Sequence, residues 1–314
     1  MTRLLVSRIG QAAVVLLLAF TASFLLLQAL PGDAILIKYQ NPEMGLTPEQ
    51  IAEIRVLYGA DAPIWAQYGN TLWNFLQGSF GYSVQAGVPV NALLATNLPP
   101  TLRLASLGLV FAVLIAGVLA FAATLAPFAW LRNLLQSLPA LMISVPVFWL
   151  GIMLIQIFSF RLRLVPIINP SEFQALILPV ATLALPIAAP LAQILIRSLD
   201  EVQTQPFVSV ARAKGASRPW VLWHHVLRNA LLPVLTIAGV LFGELLAGAV
   251  VTETVFGING LGRVTEQAVS YQDTAVLQAI VILAAVGFVL INLVVDLVAP
   301  LIDARLKNPV GASA

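Results

Sequence analysis

The residues that could do chemistry in this chain are few, and none belongs to a recognisable catalytic or nucleotide-binding motif. A P-loop needs a lysine followed by serine or threonine after a glycine-rich turn. The three lysines, Lys38, Lys214 and Lys307, are followed by tyrosine, glycine and asparagine. The chain has no cysteine, and the Gly-x-Ser-x-Gly pattern of serine hydrolases does not occur. The sequence therefore predicts no P-loop ATPase and no catalysis by a cysteine or serine nucleophile.

Two features remain that could carry chemistry, a pair of histidines and one acid within an apolar stretch. On a helix the adjacent His224 and His225 point about 100° apart, so they cannot clamp one metal ion as an i, i+4 pair would. We expect them to make a cytoplasmic contact or to have no role. Glu244 is the clear mid-span acid, and we favour a hydrogen-bonded or cavity-lining role for it. Direct contact with a solute and ion coupling are the alternatives.

The elements that must position these residues are apolar helices. Of the 314 residues, 60% are hydrophobic and only 10% are charged, whereas soluble domains are about 45–50% apolar and about 25% charged. The net charge of +2 is too small for a surface that tracks nucleic-acid phosphates. This composition excludes a soluble enzyme, a disordered chain and a nucleic-acid binder, and predicts an integral membrane protein.

Six stretches without Asp, Glu, Lys or Arg approach the length needed to cross a bilayer, which is about 20 apolar residues as a helix. The fifth is interrupted only by Glu244. They cover residues 9–32, 104–131, 133–160, 173–196, 229–252 and 274–295. The first is longer than the roughly 7–15-residue core of a signal peptide and lacks its cleavage pattern, so we expect a retained helix and not a cleaved leader.

The distribution of Lys and Arg predicts that both termini are cytoplasmic, because cytoplasmic loops carry the excess of positive charge. Ten such residues fall on the side of the termini and five on the opposite side. The ten are Arg3, Arg8, Arg132, Arg197, Arg212, Lys214, Arg218, Arg228, Arg305 and Lys307, and the five are Lys38, Arg55, Arg161, Arg163 and Arg263.

A polar segment of residues 31–100 is predicted to lie outside the membrane. Thr47 as a cap, Pro48 at the first position and an acid in the first turn predict a helix over residues 48–57, closed by Gly59. The spacing of aromatic and leucine residues predicts a second helix over 64–76, at the membrane interface. The segment is interpreted as a packed cap over the spans or as a docking surface for an extracytoplasmic partner.

A second polar segment, residues 198–228, is predicted to lie inside. Thr204 is expected to cap a short helix with Pro206 in its first turn, and Gly215 is expected to end it. Ser217, Arg218 and Pro219 would then start another helix that runs towards Asn229. This compact basic segment is either an amphipathic surface helix held by lipid headgroups or an element that docks into a groove of a cytoplasmic protein. Physics alone favours neither.

The predicted spans contain residues that favour close helix packing and helix bending, and no recognisable catalytic residues. Small residues every four positions let helices approach closely in lipid; they are Gly108, Ala112, Ala116 and Ala120 in one span, and Gly239, Gly243 and Ala247 in another. Five prolines, which bend helices, lie within the third and fourth spans at 139, 146, 179, 186 and 190. Kinked helices in close contact suit a moving conduit as well as a static bundle.

The inner segment also contains a recognisable motif. Ala211-Arg212-Ala213-Lys214-Gly215, followed by Leu232-Pro233, is similar to the EAA loop of ABC importer permeases, although Ser209 and Val210 stand where that loop has Glu and Ala. The chain as a whole resembles the first permease of the peptide/nickel (dipeptide and oligopeptide) transport family. Further matching stretches are Pro31-Gly32-Asp33, Gly78-Ser79-Phe80-Gly81, Leu98-Pro99-Pro100-Thr101, Ser144-Val145-Pro146, Glu253-Thr254-Val255-Phe256 and Gly260-Leu261-Gly262-Arg263.

The resemblance implies an all-α membrane protein with six transmembrane helices and the type I, MetI-like importer permease fold. It implies a cytoplasmic N-terminus (1–8), a first helix (9–30), an extracytoplasmic cap (31–100), a permease core (101–308) with the coupling segment 198–228, and a tail (309–314). The chain would be non-catalytic, would bind no cofactor or metal, and would reside in the bacterial inner membrane.

The implied partners are a second permease, two P-loop ATPases that bind ATP and magnesium, an extracytoplasmic substrate-binding protein and membrane lipid, with no nucleic acid. The helix around Ala211–Gly215 would be the coupling helix, seated in a groove of an ATPase. Two rival hypotheses make different predictions. A self-sufficient carrier would depend on Glu244 and transport alone, and an intramembrane enzyme would need a catalytic cluster.

Overall fold

The computed structural model of the chain describes residues 2–29, 34–39, 46–57 and 61–302, and these residues form helices with no β-strand among them. The expected features at Pro31-Gly32-Asp33, at Gly59 and in the tail 309–314 lie outside the described residues. The helices are α1 (Thr2–Gln28), α2 (Ala34–Tyr39), α3 (Pro48–Leu57), α4 (Ile64–Leu76), α5 (Val90–Leu125), α6 (Ala129–Ser144), α7 (Val147–Leu154), α8 (Glu172–Gln203), α9 (Pro206–Ala213), α10 (Arg218–Val221), α11 (Leu227–Phe256), α12 (Leu261–Ser270) and α13 (Thr274–Ile302).

Within the described residues, five helical runs are long and apolar enough to cross a membrane, at Arg8–Gln28, Val90–Leu125, Glu172–Gln203, Arg218–Phe256 and Thr274–Val298. The expected third span is instead a pair of helices, Ala129–Ser144 and Val147–Arg161, which meet at a bend of 99°. The predicted number of six spans is reached when this bent pair counts as one.

The bend occurs at Pro146, which the sequence placed inside a continuous span. The ring of a proline clashes with a helical conformation of the residue before it, and Val145 accordingly has extended backbone angles (φ −94°, ψ 122°). Pro139 and the three prolines of α8 stay within their helices. The end of α7 continues as a π-helical turn over Ile155–Arg161.

The chain divides into two compact units, and the first comprises residues 1–101 and 258–289. Its core joins α1, α5, α12 and α13 through buried Val90, Leu94, Leu261 and Val276, with further residues packed around them. On α13, the Gln278 side-chain amide donates to the Phe20 carbonyl (3.1 Å) and to the Ser23 hydroxyl (2.9 Å) of α1. A polar contact of this kind fixes one helix against another where apolar packing alone would allow sliding.

The predicted helices of the first unit agree with the structure: α3 spans Pro48–Leu57 and α4 spans Ile64–Leu76. Thr47 caps α3, because its hydroxyl accepts from the Gln50 N–H (3.4 Å) while the Gln50 side chain accepts from the Thr47 N–H (2.9 Å). Hydrogen bonds from its own backbone and from Thr47 hold the pKa of Glu49, in the first turn, below its usual range.

A turn of the first unit, Ser83–Gly87, is held from two sides. Asp273, buried at the start of α13, accepts from the Ser83 hydroxyl (2.6 Å) and from the Gln85 N–H (3.2 Å). The Lys38 ammonium of α2 donates to the carbonyls of Val84 and Gln85. This turn therefore connects the short helices before it to the corner between α12 and α13.

The second unit comprises residues 102–257 and the chain from 290 onward, and its centre is the contact of α8 with α11. The predicted small-residue seam on α5 is confirmed: Ala112, Ala116 and Ala120 are buried. A Cβ added at Gly108 would lie 3.0 Å from Leu183 Cδ2 and 3.4 Å from Leu245 Cδ2. Only a glycine allows these side chains to approach α5 so closely.

The predicted seam on α11 is partly wrong. Gly239 is buried, and its Cβ position lies 3.3 Å from the Asn292 side chain. However, Gly243 is half-buried and Ala247 is exposed. The position in close contact is Gly248, where a Cβ would lie 3.1 Å from Leu183 Cδ1. Spacing by four alone missed this shift because α11 packs against α8 on one side and α13 on another.

We predict that Gly108→Leu destabilises the protein, because the added side chain must displace Leu183 and Leu245, and overpacking of this kind costs about 1–3 kcal/mol. The matched control is Gly117→Leu on the same helix, where an added Cβ meets no atom within 4 Å. The measurement is the melting temperature in detergent, followed by size-exclusion chromatography. Equal melting temperatures for the two variants would contradict the close approach at Gly108.

Candidate functional site

The predicted coupling segment begins immediately after α8 ends. The Thr204 hydroxyl donates to the Glu201 carbonyl (2.8 Å), and its backbone is still helical (φ −81°, ψ −9°). The prediction that Thr204 caps the next helix is therefore wrong, because an N-cap residue needs extended angles. Gln205 has them (φ −69°, ψ 144°) and Pro206 occupies the first turn of α9, as predicted.

The end of α9 is sharp, as Gly215 predicted. Gly215 adopts a left-handed backbone conformation (φ +88°), and two hydrogen bonds close the helix, from the Gly215 N–H to the Arg212 carbonyl (2.9 Å) and from the Ala216 N–H to the Ala211 carbonyl (3.2 Å). This pair of bonds is the Schellman arrangement, which satisfies carbonyls left open at a helix end. The structure thus confirms a short helix that stops at a defined residue.

One buried side chain holds α9 to the rest of the second unit. Val208 is 1% exposed, whereas Phe207, Val210, Arg212, Ala213 and Lys214 are exposed and Ala211 is half-buried. The exposed surface combines apolar side chains with two positive charges. Exposed aromatic and aliphatic side chains gathered on one short helix are typical of an interaction surface.

The helix after Gly215 is longer than predicted. Ser217 stands at its N-cap position, although its side chain makes no capping hydrogen bond. The run then passes through α10 and a π-helical turn (Leu222–Val226) into α11 without a break, and ends at Phe256. The sequence predicted a helix towards Asn229, whereas the structure makes this segment and the fifth span one helical run.

The two histidines lie in the π-helical turn and pack against one tryptophan. The Trp220 ring stacks on His224 (centroids 4.6 Å apart, planes at 18°) and meets the edge of His225 at 5.1 Å. A His224 ring nitrogen lies 3.0 Å from the Trp220 carbonyl. No group of three or more metal-ligating side chains occurs in the part of the chain that the structure describes. A cytoplasmic contact by these histidines stays a prediction.

The two parts of the predicted coupling motif lie on different helices. Ala211, Arg212 and Ala213 are in α9, with Lys214 and Gly215 at its end, whereas Leu232 and Pro233 are in α11. Leu232 is half-buried and Pro233 is exposed. Since Pro233 has no N–H, it cannot donate the helical bond to the residue four positions earlier, and such a site is a natural place for a helix to bend.

An ion pair that the sequence analysis did not identify ties α6 to α8 near the coupling segment. Arg132 Nη2 lies 2.8 Å from Asp200 Oδ2, and the Gln136 amide also reaches this carboxylate (3.5 Å). Both charged residues stand at ends of apolar helices, a sequence signal that could have suggested the pair. The contact fixes the last turns of α8, from which α9 continues.

Glu244 lies on a face of α11 that the rest of the described chain leaves exposed. Exposed residues recur along this face every three or four positions, at Pro233, Thr236, Val240, Glu244, Ala247, Val251 and Thr254. On α11 the acid that is fully buried is Glu253, near the C-terminal end of the helix. Glu253 ends an apolar run and belongs to one of the stretches that resemble the permease family, but its burial was not predicted, because hydropathy does not show which way a side chain points.

Two family models together match nearly the whole chain. Residues 108–308 match the binding-protein-dependent transport system inner membrane component, and residues 1–105 match the N-terminal part of such membrane components. The chain belongs to this family. The permeases of this family are non-catalytic membrane subunits of ABC importers and work with partner ATPases and a substrate-binding protein. The chain is therefore a multi-pass protein of the inner membrane, and in importers of this family ATP and magnesium act on the partner ATPases.

Similar proteins carry names that agree with the family. A protein of Brucella abortus (strain 2308), named as a candidate peptide transport system permease, is 36% identical over 316 residues, which cover 98% of this chain and 99% of that one. The glutathione transport system permease protein GsiC of Salmonella typhimurium is 37% identical over 292 residues, which cover 93% and 94% of the two chains.

Among solved structures, a chain of the inward-facing MetNI methionine ABC transporter superposes with a TM-score of 0.55 at 20% sequence identity. The match covers 67% of this permease and 96% of that chain. At this identity the likeness concerns the fold, and it confirms the MetI-like architecture expected from the sequence.

We predict that Gly215→Val weakens ATPase binding and abolishes uptake, because a β-branched residue in a left-handed conformation costs roughly 1–2 kcal/mol and frays the end of α9. Gly215→Asn is the control, since asparagine tolerates this conformation. Membrane insertion, ATPase co-purification and uptake are measured for both variants. Wild-type uptake by Gly215→Val would show that the shape of this turn is not needed for coupling.

Proposed function

We propose that this permease forms half of the translocation pathway of an importer for peptides or glutathione-like solutes, with a second permease as the other half. The substrate class is supported by the names of the two relatives, which match over more than nine-tenths of this chain. The observation in favour of a pathway shared with a second permease is the exposed stripe of α11 that includes Glu244. The stripe combines threonine and glutamate with small and apolar residues, as a conduit for peptides requires.

The coupling residues in this proposal are Ala211, Arg212, Ala213, Lys214, Gly215, Leu232 and Pro233. The observation that supports them best is the single helical run from Arg218 to Phe256. A cytoplasmic ATPase that moves α9 and the adjoining turn would act on one end of a helix whose other turns carry Glu244. Because this helical run has no break, such a displacement would pass into the membrane as a movement of the helix, with a bend at Pro233 where one occurs, and not as local unfolding.

The orientation in this proposal places both termini and the coupling segment in the cytoplasm. The exposed basic residues Arg212, Lys214 and Arg218 support it, since positive charge favours the cytoplasmic side. The opposite side then presents the acidic surface of α3, with Glu49 and Glu53 exposed. In this proposal α3 is available to a substrate-binding protein.

The first test is purification of the tagged chain from native membranes in mild detergent, with identification of bound proteins by mass spectrometry. We expect a P-loop ATPase and a second permease, and ATP-dependent uptake of a peptide or glutathione only when the purified complex and its binding protein are reconstituted together. Transport by this chain alone would overturn the proposal and would make Glu244 a candidate for ion coupling.

We predict that Ala213→Trp weakens the binding of the ATPase but leaves the assembly with the second permease intact. A large ring on the exposed side of α9 should exclude the ATPase while leaving the buried anchor Val208 and the membrane helices in place. Co-purification of the ATPase is therefore expected to fall with the second permease still bound. The control is Val118→Trp, a bulky substitution at an exposed position of α5 away from α9. Equal ATPase yields from the two variants would contradict the assignment.

For Glu244 we predict that Glu244→Gln keeps most of the uptake, because a pathway-lining polar residue needs no charge change during transport. Glu244→Trp is expected to block uptake, since the ring would fill the space in front of α11, with the complex still assembled. The measurement is ATP-driven uptake by reconstituted vesicles at equal protein content. Loss of uptake in Glu244→Gln would instead indicate ion coupling, and full uptake in Glu244→Trp would remove Glu244 from the pathway.

A further inference from the structure

Helix α4 has two apolar faces, of which only one is covered by the protein. Tyr68 and Phe75 pack against α1, with ring centroids 5.6 Å and 5.3 Å from Phe20, and the Tyr68 hydroxyl lies 2.8 Å from the Thr21 hydroxyl. The second apolar face consists of Trp65, Trp73 and Leu76, whose exposed fractions are 75%, 62% and 73%. We call this second face the outer face.

A polar edge completes the circumference of α4. Asn70 and Asn74 are exposed, and at 100° per residue they lie next to Trp73, on the side of the outer face that is away from Tyr68 and Phe75. The helix is therefore amphipathic in a specific order: the face against α1, the apolar outer face, and then the amide edge. Such an arrangement suits a helix that lies at a boundary between apolar and aqueous surroundings.

The position of α4 on α1 indicates which surroundings the outer face meets. One stripe of α1 runs through Val14, Leu17, Thr21, Phe24 and Gln28 at spacings of three and four residues. Val14 and Leu17 are exposed, on a helix long and apolar enough to cross the membrane. The same stripe is covered by α4 from Thr21 onward: the Phe24 ring lies 5.3 Å from Tyr68, and the Gln28 amide donates to Gln67 (3.4 Å). Helix α4 thus lies on a side of α1 that the described chain leaves exposed over the preceding turns.

The chemistry of the segment agrees with this position. No Asp, Glu, Lys or Arg occurs between Asp61 and Arg103, a stretch that includes α4 and the beginning of α5. At about 1.5 Å per residue the 13 residues of α4 reach about 20 Å, which is too short to cross a bilayer. Tryptophan is enriched at membrane interfaces, where its ring is in the apolar region and its N–H reaches water or headgroups.

A protein partner fits the outer face less well than lipid does. Interfaces between separate proteins have a polar rim around an apolar centre, whereas the outer face adjoins α1, itself apolar and exposed. The charged surface of this region is on α3, where Glu49, Glu53 and Arg55 lie close together in sequence.

We propose that α4 is an interfacial helix of the outer leaflet, held against the lipid-facing side of α1, with Trp65, Trp73 and Leu76 in contact with lipid. The residues around α4 are then anchored at the depth of the headgroups, and the exposed α3 faces water. This inference does not depend on which solute is transported.

The absence of cysteine from the chain allows a direct test. Single cysteines are introduced by Trp73→Cys and Leu76→Cys on the outer face, and by Asn70→Cys and Asn74→Cys on the amide edge. Each is labelled with a nitroxide, and the complete transporter is reconstituted into liposomes. Electron paramagnetic resonance then measures collisions with oxygen, which dissolves in lipid, and with a polar nickel chelate, which stays in water.

We expect the ratio of oxygen to nickel accessibility to be several-fold higher at positions 73 and 76 than at 70 and 74. Equal ratios, with nickel reaching all four positions, would overturn the proposal. Labels at 73 and 76 that are in water and become immobilised when the binding protein is added would assign the outer face to docking instead. Labels reached by neither reagent would show that another subunit covers it.

If Trp73→Cys fails to assemble, Leu76→Cys and Trp65→Cys carry the same test, since their side chains are also exposed and make no contribution to the contact with α1. Failure of the proposed importer function would appear as absence of the ATPase from the purified complex. It would leave the accessibility ratios unchanged, so that the two results are distinguishable.

Discussion

Inside a membrane, where water is absent, every backbone N–H and C=O group has to find its hydrogen-bond partner within the protein. A spanning segment cannot leave N–H or C=O groups facing lipid, because each unsatisfied group costs several kcal/mol. Within the described residues the spanning segments are accordingly helical, and their departures from regular helix occur at identifiable residues: Pro146 at the 99° bend, and two π-helical turns. These departures give the helices their particular directions without exposing long runs of backbone.

The same absence of water changes what holds the helices together. Lipid is as apolar as leucine, so burial of leucine gives little net stabilisation between spans, and close van der Waals contact has to supply it. Gly108 and Gly248 serve this role by letting Leu183 approach from α8. Gln278 supplies the polar counterpart on α13, because an amide in lipid gains from any partner it can reach, here the backbone and Ser23 of α1.

The segment of residues 198–228 shows how a short helix and a long span are joined through ordinary helix-ending chemistry. A short helix held by one buried valine ends at Gly215, and the next helix continues into the membrane. Weak attachment of α9 and stiffness of the run from Arg218 to Phe256 are complementary. In the proposed coupling, the first would leave the surface of α9 available to a partner, and the second would carry a displacement to the face of α11 that includes Glu244.

Local sequence patterns were enough to predict the class of the protein, the approximate spans, the bounds of α3 and α4, and the position at which α9 ends. These features depend on neighbours within a few residues: an uncharged run long enough for a bilayer, Thr47 and Pro48 at a helix start, and Gly215 in a left-handed turn. The family resemblance came from the same kind of local pattern, and the matches with known permeases confirmed it.

Which residues face inward could be learned only from the tertiary structure. It moved the close contact on α11 from Ala247 to Gly248, placed Glu253 rather than Glu244 in the interior, used Thr204 to end α8, and joined Arg132 to Asp200 across two helices. In a soluble protein, hydropathy indicates the buried face of a helix because the other face is polar. In a membrane-spanning helix both faces are apolar. Which face is buried therefore depends on the neighbouring helices and cannot be predicted from the hydropathy of the helix itself.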